Sequence, residues 1–177
     1  MSRIETVASN DARINRINRN IVLIGMPGCG KTSIGIALAK MTEREFADTD
    51  EWIIKTAGKS IAAIFAEDGE DVFRMMEQDA LQIFCRRRGL VIATGGGVVK
   101  RSENLCIIRQ NGIIIFLDRD IDLLATSGRP LSEQEGVHAL ASARLPLYRE
   151  WSEYTVPVRG VRETAADICG LLFGGLL

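Results

Sequence analysis

The run "IVLIGMPGCGKTSIGIALAK" (21–40) constrains this chain more than any other stretch, because an apolar, strand-like segment passes through a glycine-rich turn into a helix-like one. Within it, "GMPGCGKT" (25–32) fits the pattern G-x-x-x-x-G-K-[ST]. Gly25, Gly28 and Gly30 permit backbone angles and close approach that a Cβ forbids, so successive N–H groups can converge on phosphate oxygens. The following helix adds the positive end of its dipole. Lys31 supplies a point charge for the β- and γ-phosphates of a nucleoside triphosphate, and the Thr32 hydroxyl can ligate Mg²⁺. Gly28, Cys29, Gly30, Lys31, Thr32 and Ser33 are therefore the candidate nucleotide ligands. The competing reading is a plain strand–helix turn with an incidental Lys-Thr, and the flanking strand and helix speak against it.

The same alternation continues along the chain. Short apolar runs suggest strands at 21–24, 45–48, 90–94, 113–117 and 154–158. Amphipathic segments between them suggest helices at 31–41, 51–57, 61–67, 70–88, 102–109, 137–145 and 164–173, with Ser60 and Thr164 as N-caps. Strands apolar on successive residues are expected to be parallel and covered on both faces. Right-handed crossovers then give a three-layer α/β/α sandwich around a five-stranded parallel sheet. Ligands in such sheets lie beyond the carboxyl ends of the strands, here just after residues 24, 48, 94 and 117. With 177 residues the chain is expected to form one domain over 20–177, preceded by a flexible extension at 1–19.

Charge excludes several roles. Lys and Arg number 22 against 23 Asp and Glu, so neither nucleic acid nor an anionic membrane is the expected partner. No apolar run has membrane-spanning length and "MSRIETVASNDARINR" has no signal-like apolar core, so a cytoplasmic protein is expected; it is read as a monomer. Cys29, Cys85, Cys106 and Cys169 lack the spacing of a zinc site and read as free thiols. Cys29 in the turn reads as a small residue filling a tight loop, with a redox role as the alternative.

Further motifs lie where an acceptor would meet a nucleotide. In "FADTDEW" (46–52) an extended backbone would point Asp48 and Asp50 to one side; one carboxylate could hold a metal-bound water and the other accept a hydroxyl proton. Asp50 could equally cap a helix starting at Glu51. In "EDVFRMMEQDALQIF", Phe73, Met76, Ala80, Ile83 and Phe84 form the expected buried stripe, with Arg74 at its edge and Glu77 one turn on. That pair is either a plain intrahelical ion pair or a guanidinium held ready for a ligand carboxylate. Gly95, Gly96 and Gly97 in "IATGGGVV" suit a ligand resting on bare backbone, or a flexible turn. "ATSGRPLSEQEG" (125–136) has the character of a lid that brings Arg129 to a transferring phosphoryl group, although an ordinary solvated arginine is the default. Arg144 precedes Pro146, which is expected to end its helix.

In their order and spacing the P-loop, "DTD", "SIAAIFAEDGEDVFRMME", "TGGG", "GRPL" and "RLPLYRE" together resemble the shikimate kinase family, from about Ile21 to Tyr148 and more weakly beyond. The resemblance implies a P-loop fold of the nucleoside monophosphate kinase type with a short lid at about 125–137. It also implies MgATP-dependent phosphorylation of the shikimate 3-hydroxyl, a step toward aromatic amino acids. Lys31 and the P-loop amides would hold phosphates, and Thr32, with Asp48 through water, would hold Mg²⁺. Asp50 would bind the acceptor hydroxyl, and Arg74 and Arg144 would clamp the carboxylate. Gly95, Gly96 and Gly97 would line the ring, Glu77 would steady Arg74, and Arg129 would arrive on the lid. Two departures stand out: the arginine that the family often carries upstream of "RPL" is not evident in "LLATSG" (123–128), and "VRGV" (158–161) replaces the family's Asp-Thr, with Arg159 a candidate for stacking on the base. Other small-molecule P-loop kinases, for gluconate or nucleoside monophosphates, and a nucleotide-binding regulator without transfer activity are the rival readings.

Overall fold

Val, Ile and Leu at successive positions leave the strand backbones no face to turn toward water, and two apolar layers must enclose them. The computed structural model, which describes residues 18–124 and 136–174, has that arrangement. Strand β1 (Asn20–Ile24) lies in the middle of a five-stranded, all-parallel sheet of order β2-β3-β1-β4-β5. The other strands are β2 (Glu45–Asp48), β3 (Leu90–Ala93), β4 (Gly112–Asp118) and β5 (Tyr154–Pro157). Pro157 ends an edge strand, where a missing N–H is tolerated.

Alternate residues of each strand enter opposite cores. Ile21, Leu23, Val91, Ile113 and Ile115 pack beneath α1 (Lys31–Met41) and α7 (Val161–Phe173), against Ile34, Leu38, Ala165 and Ile168. Val22, Ile24, Ile92, Ile114 and Phe116 face α4 (Gly69–Cys85), α5 (Ser102–Arg109) and α6 (Val137–Trp151), meeting Leu81, Ile108, Leu140, Tyr148 and Trp151. A smaller cluster of Ile53, Ile64 and Phe73 ties α4 to α2 (Thr49–Ala57) and α3 (Ile61–Glu67). No helix among the described residues is long and apolar enough to cross a membrane, and the four cysteines are free thiols.

β2, α1, α3 and α5 have the bounds expected from sequence. Ser60 caps α3 by accepting the Ala63 N–H at 3.2 Å. Other expectations fail. Helix α2 begins at Thr49 rather than Glu51, and its cap is Asp48, whose Oδ1 accepts the N–H groups of Asp50 (2.9 Å) and Glu51 (3.4 Å). The extended backbone therefore stops at Asp48, and Asp50 is not a cap. Helix α7 begins at Val161, so Thr164 lies inside it, buried, with its Oγ1 accepting the Arg159 N–H at 3.2 Å. Helix α6 does not end at Pro146 but continues to Trp151, burying Tyr148 and Trp151 beyond the proline. Helix α4 stops at Cys85, and its inner face is Phe73, Arg74, Glu77, Ala80, Leu81 and Cys85, whereas Ile83 is exposed.

Asn18 and Arg19 are tied to this domain: Asn18 O accepts the Gly89 N–H, and Arg19 pairs with Glu153. Residues 1–17, read as an extension, and 125–135, read as most of the lid, lie outside the described residues.

Candidate active site

The carboxyl ends of β1, β2, β3 and β4 surround a cavity of about 590 Å³, whose wall includes Gly28, Gly30, Lys31, Thr32, Ser33, Asp48 and Asp50. Gly30 stands at the N-cap of α1 with φ 101°, a conformation that a side chain would strain. Lys31 is 7% exposed, and its Nζ donates to the carbonyls of Gly25 and Met26, each at 2.9 Å. Cys29 is buried beneath the loop with its Sγ 3.8 Å from that ammonium, consistent with a filler of the turn. The Thr32 hydroxyl donates to Asp48 Oδ2 at 2.8 Å, so Asp48 caps α2 with one oxygen and holds the P-loop threonine with the other.

No group of three or more His, Cys, Asp or Glu residues that could cage a metal exists among the described residues. A hydroxyl in contact with one carboxylate fits a hard cation of the Mg²⁺ type, which keeps its waters and takes its remaining ligands from phosphate.

Asp50 lies where this cavity meets a second, more deeply buried group of polar side chains. A methyl placed on Gly95 would come 2.9 Å from Asp50 Oδ1 and 2.5 Å from Glu77 Oε1, so both carboxylates face one glycine. A methyl on Gly97 would collide with the Arg74 guanidinium, and one on Gly96 would come 2.7 Å from Pro27 of the P-loop. The carbonyl of Gly96 accepts hydrogen bonds from Arg144 Nη1, at 3.2 Å, and from the Tyr148 hydroxyl. The glycine run thus lets the protein's own side chains come close to the backbone.

Arg74 is 3% exposed and Arg144 4%. Arg74 Nη1 donates to Glu77 Oε2 at 2.9 Å, while its Nε and Nη2 donate to Glu70 Oε1 at 3.1 and 3.0 Å. Lys100 holds the same Glu70 oxygen at 2.6 Å. Burial works against charge on Arg74, but Glu77 and Glu70 outweigh it, and its pKa is raised. Burial pushes the Glu77 carboxyl above the usual carboxylate range, only partly offset by Arg74. Glu77 Oε1 has no hydrogen-bond partner.

The expected residues Lys31, Thr32, Asp48, Asp50, Arg74, Arg144 and Gly95–Gly97 therefore converge, although Arg74 and Arg144 lie behind the glycine run rather than in the cavity wall. Arg129 lies outside the described residues. Arg159 does line the cavity, where Asp167 holds it at 2.7 Å. Sequence reasoning missed Tyr148 and Pro27, which act on Gly96, and Arg119, which enters the cavity from the end of β4. The signal for Arg119 was its place two residues after 117, one of the strand ends where ligands gather.

A five-stranded parallel sheet, with a P-loop at the amino end of α1 and a carboxylate facing its lysine-bearing cavity, defines a small P-loop kinase. More specifically, residues 27–169 match the family model described as Shikimate kinase, and the chain belongs to that family. A shikimate kinase of Dehalococcoides mccartyi is 40% identical over 162 residues, 87% of this chain and 91% of that protein. One from Trichormus variabilis is 41% identical over 140 residues, 74% of this chain and 77% of that protein. The structure of a shikimate kinase from Acinetobacter baumannii in complex with shikimate superposes with a TM-score of 0.83 at 32% identity, covering 94% of this chain and 99% of that one.

Proposed function

We propose that this chain transfers the γ-phosphoryl group of ATP to the 3-hydroxyl of shikimate, giving shikimate 3-phosphate and ADP, with the residues described above in the following roles. The observation that carries the assignment is the place of Asp50, between the Lys31–Thr32 cavity and two buried arginines joined at Gly96 and Gly97. The P-loop amides hold the phosphates, and Lys31 exchanges its two carbonyl partners for β- and γ-phosphate oxygens. Thr32 and Asp48 hold Mg²⁺, which supplies charge neutralisation across the phosphates when bound.

Arg74 and Arg144 take the shikimate carboxylate. Glu70, on the solvent side and held also by Lys100, is the partner that a ligand carboxylate can replace at Arg74, while Glu77 keeps the guanidinium in place. With the carboxylate fixed, Asp50 aligns the acceptor hydroxyl and accepts its proton as the new O–P bond forms. Enclosure matters because water would otherwise receive the phosphoryl group, and most of the catalytic effect is positioning and charge compensation.

The test is ADP release with shikimate, gluconate and AMP offered separately to the full chain. Turnover with shikimate alone is the expected result. Turnover with gluconate or AMP instead, or ATP binding without transfer to any of the three, would replace the assignment with one of its rivals.

A further inference from the structure

Arg119 immediately follows β4 in "LDRD", flanked by two aspartates that both look elsewhere. Asp118 approaches Arg149 at 3.8 Å, and Asp120 accepts the Asp122 N–H at 3.1 Å. Among the described residues the Arg119 guanidinium has no hydrogen-bond or ion-pair partner. It is half-buried and lines the nucleotide cavity. Its Nη1 lies 4.0 Å from the point where a Cβ on Gly30 would stand, next to the amino end of α1.

The helix terminus is positive, Lys31 follows Gly30 directly, and Arg119 adds a further cation to a cavity wall whose carboxylates are Asp48, Asp50 and Glu51. Arg159, across the same cavity, has its charge offset by Asp167. Among the described residues Arg119 has no such ion-pair partner, so the cavity keeps a fork of unpaired N–H donors beside the P-loop. An anion entering there meets a guanidinium on one side and the helix amides on the other, a combination suited to bidentate phosphate capture.

We propose that Arg119 is a nucleotide-binding residue that grips the phosphate chain of ATP and ADP from the end of β4. It supplies from the rigid sheet a positive charge for the nucleotide, in a chain whose "LLATSG" segment lacks an arginine. The proposal rests on the reading that ATP occupies the P-loop cavity, and it goes further in giving the phosphates a ligand outside the P-loop and the lid.

The experiment compares the full chain with Arg119→Ala and Arg119→Lys, measuring the Kd of ADP by calorimetry and the Ki of inorganic tripolyphosphate as a competitor of ATP. Loss of a charge-assisted hydrogen bond predicts ADP binding weaker by about ten- to hundredfold in Arg119→Ala. A matching rise in the tripolyphosphate Ki is expected, with partial recovery in Arg119→Lys. Shikimate Kd and the urea midpoint should stay at wild-type values, which separates a ligand contact from a folding defect. A weaker ADP complex with an unchanged tripolyphosphate Ki would place the contact on the base or sugar and overturn the phosphate assignment. Unchanged values for both would make Arg119 a solvated arginine. Failure of the wild-type chain to bind ADP at all would instead sink the underlying nucleotide reading.

Discussion

Arg74 has two carboxylates on its guanidinium, and almost none of it touches water. Removing the side chain would leave Glu77 as an uncompensated buried charge, a defect that typically costs about 3–5 kcal/mol and would blur any binding measurement. Arg74→Lys keeps a positive charge beside Glu77 but loses the planar fork. We expect this variant to bind shikimate about ten- to hundredfold more weakly while its ADP Kd is unchanged; parallel losses of both ligands would show that Arg74 serves the fold and not the acceptor. Glu77 gives a second prediction through its raised carboxyl. A group whose folded-state pKa lies above its unfolded value contributes stability that is complete below the unfolded value and lost as pH rises through the folded one. Comparing wild type with Glu77→Gln in urea at successive pH values removes the contributions of Glu70 and every other shared group. The wild type should lose ground to the variant as pH rises from about 4.3, and parallel stability curves would show that Glu77 carries no such burden.

Helices and strands show how local signals and tertiary packing divide the work. α1 was legible to the residue because the P-loop glycine fixes its start; β2, "EFAD", was read to the same bounds although Phe46 is its one strong β-former. The extension of α6 past Pro146 was not legible. A proline in a helix interior costs about 3 kcal/mol, yet Tyr148 and Trp151 lie beyond it, buried, and two large side chains removed from water offset that amount. The site shows the same division. "GMPGCGKT" announced the phosphate end, whereas the use of Gly95–Gly97 by Glu77, Arg74 and Pro27 depends on contacts between elements distant in sequence. Gly35, inside α1, tests the point at this scale. Alanine there would gain about 1 kcal/mol of helix propensity, but its methyl would stand 2.6 Å from Phe46 Cε2 and 3.3 Å from Leu23 Cδ1. Overpacking of this kind costs about 1–3 kcal/mol, so Gly35→Ala should lower the urea midpoint; a higher midpoint would mean that α1 can lift off β2 without penalty.

At the scale of the whole molecule, the P-loop and α6 meet at Gly96. Pro27 of the P-loop rests on Gly96, and the Gly96 carbonyl receives Arg144 and Tyr148 from α6 on the far side. Tyr148 is itself stacked on Phe116 of β4, with ring centroids 5.3 Å apart, so the sheet, the P-loop and α6 are braced against a single peptide. The φ of Gly96 is not positive, and alanine meets no backbone strain there; what it meets is the Pro27 ring. Gly96→Ala must therefore push the P-loop and the glycine run apart, displacing Lys31 relative to Asp50 and Arg144 together. The expected outcome differs from that of any ligand-contacting variant: ADP and shikimate should both bind more weakly in separate titrations, and kcat should fall further than either affinity. The added methyl carries the same overpacking cost of about 1–3 kcal/mol, and transfer depends on both halves of the site at once. If only one ligand is affected, the two ends are mechanically independent and Gly96 is not the joint between them.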